Sequence, residues 1–478
     1  MGIERVPPAA LDLAAVFAAA GAELALVGGP VRDLVLGRPL SDLDFATNLE
    51  PQRSLELLRR WAGKTWEVGR AFGTVAGRRG ATVVEITTYR TEQYEPATRK
   101  PRVRYGQTIE ADLTRRDFTI NAMALMLAPA VRFVDPHGGL SDLSARLLRT
   151  PAPATQSFDD DPLRMMRAAR FAAQLGFDVD QAALSAIAAM ADRLAIVSAE
   201  RIKAELAKLM LAPQPRRGLE LMVYSGLADL VLPELPALQL AQDAGHHHKD
   251  VYEHSLTVLE RAIALETGPD GPVPRPDLVL RLAALLHDIG KPATRRFEAG
   301  GQVSFHHHEV VGAKLAAKRL RALRFDNATI ADVTRLIELH MRFHGYGEAG
   351  WSDAAVRRYV ADAGGLLERL HRLTRADCTT QNVRRADRLA FAYDDLEGRV
   401  AQLAAEEELR AIRPDLNGDQ IMAILGIPPG KDVGRAYRYL LDRRMAEGPL
   451  GEAAATAALL EWWAGQAGQA GQAGQAGT

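Results

Sequence analysis

With 478 residues, of which 47% are hydrophobic and 25% charged, the chain is too long for one compact core; it reads as an ordinary soluble globular protein of roughly two to four domains. Its 59 basic and 60 acidic residues leave a formal charge of −1, which excludes a globally basic nucleic-acid binder and leaves any RNA contact to local patches. The single cysteine, Cys378, excludes an internal disulfide and a thiolate zinc cluster.

No apolar run is long enough to span a bilayer. The N-terminus carries Glu4 and Asp12 and lacks a basic segment followed by an apolar core, so the expectation is a cytoplasmic protein. Residues 1–150 mix helical and strand signals. Glu23–Val27 reads as a strand running into Gly28-Gly29, and Asp42–Ala46 and Thr82–Tyr89 read as further strands. This points to an α+β head. From about residue 158 the pattern is helical. Pro162–Gly176 starts with proline and ends with glycine, and Ser198–Leu211 follows. A Pro/Gly loop (residues 266–276) precedes apolar-periodic helices at Asp277–His287, Val310–Leu323, Ala328–Met341 and Val356–Ala363. The Gly/Gln/Ala repeat over 465–478 has nothing to bury and is expected to stay unordered.

The densest chemistry lies in residues 28–47, GGPVRDLVLGRPLSDLDFAT. Gly28 and Gly29 follow a strand and open a helix, where bare backbone can approach a phosphate. Arg32 can add charge-assisted hydrogen bonds to a triphosphate. Asp42 and Asp44 are two apart on a strand and share a face, with Leu43 and Phe45 turned to the core. Two adjacent carboxylates repel unless a cation joins them, and hard oxygen ligands favour Mg²⁺.

This run resembles the signature of class II CCA-adding enzymes and bacterial poly(A) polymerases, in the polymerase-β nucleotidyltransferase superfamily. The resemblance continues through RRDFTINAMAL (115–125), DPHGGLSDL (135–143) and DDPLRMMRAARFAAQLGF (160–177), and covers residues 22–210. It implies a small polymerase-β-like α/β head, an all-helical neck and template-independent addition of C and A, from CTP and ATP, to the 3′ end of tRNA. It makes Asp42 and Asp44 the Mg²⁺ ligands, with Glu85 a candidate third acid. Arg115, Arg116, Asp117 and Asn121 match the segment holding sugar and triphosphate, and Arg167 and Arg170 continue the nucleotide-binding set. Asp135, Gly138 and Gly139 match a flexible element between head and neck.

Asp160–Arg164 resembles the base-reading motif EDxxR, with aspartate replacing the first glutamate. Asp161 and Arg164 are three apart and are expected to share a helix face; the carboxylate accepts a hydrogen bond and the guanidinium donates one. Cytosine and adenine both present an amino donor beside a ring acceptor, whereas guanine and uracil reverse that order and would leave buried groups unpaired. Without the resemblance, Asp161 reads as the cap of the helix that follows it.

A second constellation occupies residues 246–377, where most of the twelve histidines fall. Its HHHKDVYEHSL, LLHDIGKPATR, FHHHEVVGAK, LHM and RADC segments resemble an HD domain, a helical phosphohydrolase fold. The resemblance makes His254, His287, Asp288 and Asp377 ligands of one metal, with His308 and His340 completing a two-metal site in some relatives. Imidazole with carboxylate suits Mn, Ni, Co or Fe(II) better than Mg²⁺. Which histidine of the 306–308 run takes part is open, and His246 and His247 also read as inert surface. An HD domain in this place implies phosphatase or 2′,3′-cyclic phosphodiesterase activity, or a scaffold that grips tRNA.

Between Arg90 and Arg116, seven basic residues with Tyr94 and Tyr105 read as a mobile RNA- or triphosphate-contacting loop, or as a solvated loop whose charge Glu92, Glu95, Glu110 and Asp112 cancel. On Ser198–Leu211, Glu200, Arg201 and Glu205 resemble a late motif near the nucleotide pocket, and packing is the simpler account. The expected order is a nucleotidyltransferase head (1–150), a helical neck (151–240), an HD domain (241–385), a helical tail (386–464) and the repeat. The alternatives are a poly(A) polymerase, a CC- or A-adding enzyme, or chiefly an HD hydrolase. The segment WEVGRAFGTVAG (66–77) lacks the basic character usual in poly(A) polymerases.

Overall fold

The computed structural model describes residues 3–40, 43–68, 73–93, 102–105, 108–239, 250–298, 303–346, 351–379, 382–407 and 413–473. The chain forms two compact units, Met1–Pro236 and Ala237–Thr478.

In the first unit the strands are β1 (Leu24–Val27), β2 (Leu43–Thr47), β3 (Lys64–Val68), β4 (Thr74–Arg79), β5 (Thr82–Thr88), β6 (Arg90–Gln93), β7 (Arg102–Tyr105), β8 (Ala124–Ala128) and β9 (Arg132–Val134). Seven make one sheet in the order β3-β4-β5-β2-β1-β8-β9, in which β2 and β5 run parallel and the other neighbours antiparallel. Strand alternation splits the apolar residues between two faces. Ala25, Val27 and Ala46 share a core with Tyr89, Ile109 and Leu113. Helices Pro8–Ala19 and Pro51–Trp61, each with proline in its first turn, pack on each other and on the sheet, and the Trp61 indole N–H donates to the Ala9 carbonyl (3.0 Å). β6 and β7 pair as an antiparallel ribbon, so part of the expected loop between Arg90 and Arg116 is regular. Arg99, Lys100 and Tyr94 lie outside the described residues.

The neck centres on helix Leu163–Leu175, nearly all of whose side chains are buried. Its alanines and methionines let Ala199–Met210 and Pro215–Tyr224 approach closely. The neck is not all helical: β11 (Asp178–Val179) pairs in parallel with β10 (Leu147–Leu148), tying it to the end of the head. The element expected to be flexible, with Asp135, Gly138 and Gly139, carries its own capping contacts. Asp135 accepts from the Gly139 and Leu140 N–H groups (2.6 and 2.9 Å), and a Cβ on Gly139 would fall 2.2 Å from the Thr119 carbonyl oxygen. Glycine serves close approach there.

In the second unit, helices Val251–Ala264, Leu278–Leu286, His308–Ala322, Asn327–Leu339 and Leu367–Asp377 pack together. The loop from Glu266 is anchored by a buried ion pair: Arg281 Nε and Nη2 donate to the two Glu266 carboxylate oxygens (2.6 and 2.7 Å). Asp277 caps the next helix at Leu280 N–H (2.8 Å) and accepts from Arg369. A two-stranded hairpin, β12 (Arg296–Phe297) with β13 (Val303–Ser304), interrupts the helices. After the long helix Val383–Glu407, three helices surround Leu416, Ile421, Ala436, Leu440, Ala455 and Leu459. The last of them, Glu452–Ala473, runs into the Gly/Gln/Ala repeat, which the sequence reading left unordered from 465. Its packed start supplies the nucleus from which the helix continues. Among the described residues no helix is long and apolar enough to cross a membrane.

Candidate active site and histidine cluster

In the first unit, β2 holds Asp44 exposed between buried Leu43 and Phe45. Asp42 lies outside the described residues. The parallel register sets Asp44 opposite Glu85 of β5, so both carboxylates stand on one face. β1 leads into Gly28, whose φ of 75° is a left-handed value that favours glycine. A Cβ there would also approach Arg116 Nη1 to 3.1 Å. Helix Gly29–Val35 carries Arg32, which donates to Asn121 Oδ1 (2.8 Å) and to both Asp33 oxygens (3.0 Å each).

Three cavities adjoin through shared residues. The first, about 560 Å³, is lined by Gly28, Gly29, Arg32, Asp44, Asn121, Arg167 and Arg170 among others. The second, about 360 Å³, is lined by Arg90, Arg115, Arg116, Asp117, Asp161, Arg164, Arg167 and Arg201. The third, about 390 Å³, includes Asp44, Glu85, Thr74, Thr87, Arg90 and Arg116. Arg167 joins the first to the second, Arg116 the second to the third, and Asp44 the third to the first.

The cations are held by buried acids. Arg167 grips Asp117 through Nε (2.8 Å) and Nη2. Arg170 Nε donates to buried Glu205 (2.5 Å), and its guanidinium lies 3.9 Å from the Phe171 ring centroid. Burial opposes a charge on Asp117, but Arg167, with Asn121 and the Phe118 N–H, holds its pKa down at about 2. Glu205 is therefore more than packing, since it fixes an arginine of the first cavity.

Asp161 and Arg164 do line one cavity, though not through helical spacing. Asp161 sits before helix Leu163–Leu175, as the residue that closes Ala154–Asp160. Its carboxylate accepts from Leu163 N–H (3.2 Å) at the start of that helix and pairs with Arg201 (3.0 Å), which lines the same cavity. Arg164 is braced by Ser157 Oγ (2.8 Å) and by the Arg115 carbonyl. Asp112, read in sequence as a charge-cancelling loop residue, is instead buried beneath Arg115 and Arg116.

The second unit gathers all six expected HD residues. His254, on helix Val251–Ala264, has Nε2 3.3 Å from His287 Nε2 and 3.0 Å from Asp377 Oδ1. Asp288 bridges two groups: Oδ2 lies 3.2 Å from His287 Nε2, and Oδ1 lies 3.3 Å from His308 Nε2. His308 and His340 face each other, Nε2 to Nε2, at 3.3 Å. Each Nδ1 is fixed from behind: His287 by the Ala284 carbonyl (2.9 Å), His308 by Phe305 (2.9 Å), His340 by Ile337 (2.6 Å) and His254 by the Thr379 hydroxyl (3.0 Å). This turns every Nε2 inward, as metal-ligating imidazoles require. Two groups could hold an ion, His254–His287–Asp377 and Asp288–His308–His340. His308 is the buried member of its run, and the His307 side chain is exposed. His246 and His247 lie outside the described residues. Burial opposes a charge on His287, but Asp288 and Asp377 outweigh it and lift its pKa to about 10. Burial and the charge on His287 lower His340 to about 4. Thr379, and Lys291 on Asp288 (2.6 Å), are supporting groups the sequence reading did not single out.

Residues 24–149 match the Poly A polymerase head domain, residues 176–238 a probable RNA- and SrmB-binding site of polymerase A, and residues 251–392 the HD domain. The A-adding tRNA nucleotidyltransferase of Deinococcus radiodurans is 36% identical over 450 residues, 92% of this chain and 95% of that protein. The CC-adding tRNA nucleotidyltransferase of Thermus thermophilus is 35% identical over 446 residues, 92% of this chain and 93% of that one. In fold, the chain is similar to the CCA-adding enzyme of Bacillus stearothermophilus solved with CTP, with a TM-score of 0.66 at 24% identity, covering 97% of this chain and 100% of the other.

Proposed function

This chain belongs to the tRNA nucleotidyltransferase and poly(A) polymerase family, and from that premise we propose that it adds C, C and A to the 3′ end of tRNA, using CTP and ATP and no nucleic-acid template. The observation that carries the reading is the linkage of Asp44, the Gly28–Gly29 turn and the Asp161–Arg164 pocket through shared Arg116 and Arg167. One end suits a triphosphate and the other a base edge. The donor set on β2 is carboxylate oxygen, which fits Mg²⁺. Asp42 and Asp44 would hold it, and when bound it supplies charge stabilisation at the phosphate and a more acidic attacking hydroxyl. Gly28, Gly29 and Arg32 would seat the triphosphate, with Asn121 orienting Arg32. Asp161 would accept from the amino group of cytosine or adenine while Arg164 donates to the ring nitrogen. The reading places the protein with its RNA in the cytoplasm.

A CC-only or A-only enzyme is the second reading. It is favoured by nearly full-length similarity to one protein named for each activity. Incubation with tRNA lacking its last three nucleotides, and each labelled triphosphate in turn, separates these outcomes. Incorporation of C, C and then A, stopping there, is expected. A halt after CC, or addition only to tRNA already ending in CC, would establish the specialised activity, and an open-ended A ladder would establish a poly(A) polymerase.

For the second unit, four inward imidazoles and two carboxylates support a pair of transition ions (Mn, Ni, Co or Fe) and metal-dependent phosphoester hydrolysis, with 2′,3′-cyclic phosphate ends as substrates.

A further inference from the structure

Helix Ile109–Thr114 carries a carboxylate to which the chemistry above gives no part. Asp112 is 1% exposed. Its Oδ1 accepts from the Arg90 backbone N–H (3.2 Å) and from Arg115 Nε and Nη2 (3.1 and 2.8 Å), and its Oδ2 accepts from Arg116 Nη2 (3.0 Å). Burial penalises its charge, but Arg116 and Arg115 keep the carboxyl below its ordinary range. A buried charge in this position is stable only while those partners stay in place.

What it holds matters more than its own burial. Arg116 lines both the Asp161–Arg164 cavity and the Asp44–Glu85 cavity. Its Nη1 lies 3.1 Å from where a Cβ on Gly28 would stand, closer than ordinary van der Waals contact, and its buried Nε has no hydrogen-bond partner among the described residues. Arg115 contributes its backbone carbonyl, which accepts from Arg164 Nη2. One carboxylate thus holds the side chain that meets the phosphate end of the site and the side chain of the residue whose carbonyl braces Arg164 at the base end.

We propose that Asp112 is a positioning residue of the nucleotide site, holding Arg116 against the Gly28 turn and Arg115 beneath Arg164 so that CTP or ATP meets guanidinium groups already in place. This deepens the function proposed above and rests on it. Preformed donors bind without paying to assemble, whereas released arginines would repel one another around a small cavity.

The test is equilibrium binding of CTP and ATP by calorimetry, without RNA, alongside steady-state addition to tRNA lacking its terminal A. Asp112→Asn is expected to weaken both nucleotides about tenfold and raise the KM for ATP in parallel, with kcat within about threefold and tRNA affinity unchanged. In an Arg116→Gln background the same change should add less than about twofold, because the group it positions is gone. Asp112→Glu, which keeps the charge and shifts it by one methylene, provides the same measurement should the asparagine variant not fold; weakened binding is again expected. Nucleotide affinity at the wild-type level in the folded variant, or an equal loss with and without Arg116, would overturn the role of Asp112. Wild-type protein that binds neither nucleotide would instead overturn the reading of the site itself.

Discussion

At the scale of single residues, the candidate site is built from arginines that would repel one another without interleaved acids. Asp117, Asp161 and Glu205 each hold at least one of them. Asp117 carries a stability signature. Its folded pKa of about 2 lies below that of an ordinary aspartate, so its contribution is complete above about pH 4 and is lost as pH falls toward 2. A depression of that size corresponds to roughly 2–3 kcal/mol. Urea unfolding of wild type and Asp117→Asn should differ by about that much at pH 7, with the gap closing as pH drops below 4; a gap independent of pH would contradict the assignment. Asp161 bears on choice of base. Asp161→Ala removes the acceptor in the second cavity, and a helix cap worth about 1 kcal/mol. Misincorporation of G and U should rise more than tRNA affinity falls, measured by competition between labelled triphosphates; unchanged selectivity would leave Asp161 as a cap alone.

At the scale of elements, the strands and caps were legible because local chemistry dictates them. Strand β1 ends at the glycine pair, Asp277 caps the next helix, and His287–Asp288 follow its last turn. What was illegible depends on distant partners. Nothing local says that Asp112 is buried while Glu110 beside it is not, or that Gly139 exists to clear the Thr119 carbonyl. The β6–β7 ribbon hid in a stretch whose charges read as loop. The loop after Glu266 hid a strut in the same way, since Glu266 and Arg281 are fifteen residues apart and nothing in the sequence pairs them. Glu266→Gln leaves Arg281 buried without a counter-charge, which should destabilise the second unit by about 3–5 kcal/mol, measured as loss of its unfolding transition temperature. A shift of less than about a degree would show the pair to be solvated.

At the scale of the whole molecule, the two candidate sites fall in different units. The six HD residues come from five widely spaced segments, and the sequence placed them only through family likeness; geometry adds the carbonyl and hydroxyl groups that aim each imidazole. All the residues of the three cavities lie before Pro236, and all the ligands of the histidine cluster lie after it. His287→Ala should therefore abolish metal-dependent phosphate release and leave nucleotide addition within about twofold of wild type. Equal loss of both activities in the folded variant would show one shared site. In the other unit, the carboxylate of Asp44 lines one cavity with the glycine turn. In single-turnover addition of labelled CMP and AMP to truncated tRNA, Asp44→Ala should slow incorporation by about a thousandfold or more while nucleotide and tRNA still bind, the loss expected when several kcal/mol of charge stabilisation at the phosphate disappears. Incorporation at the wild-type rate would contradict the account.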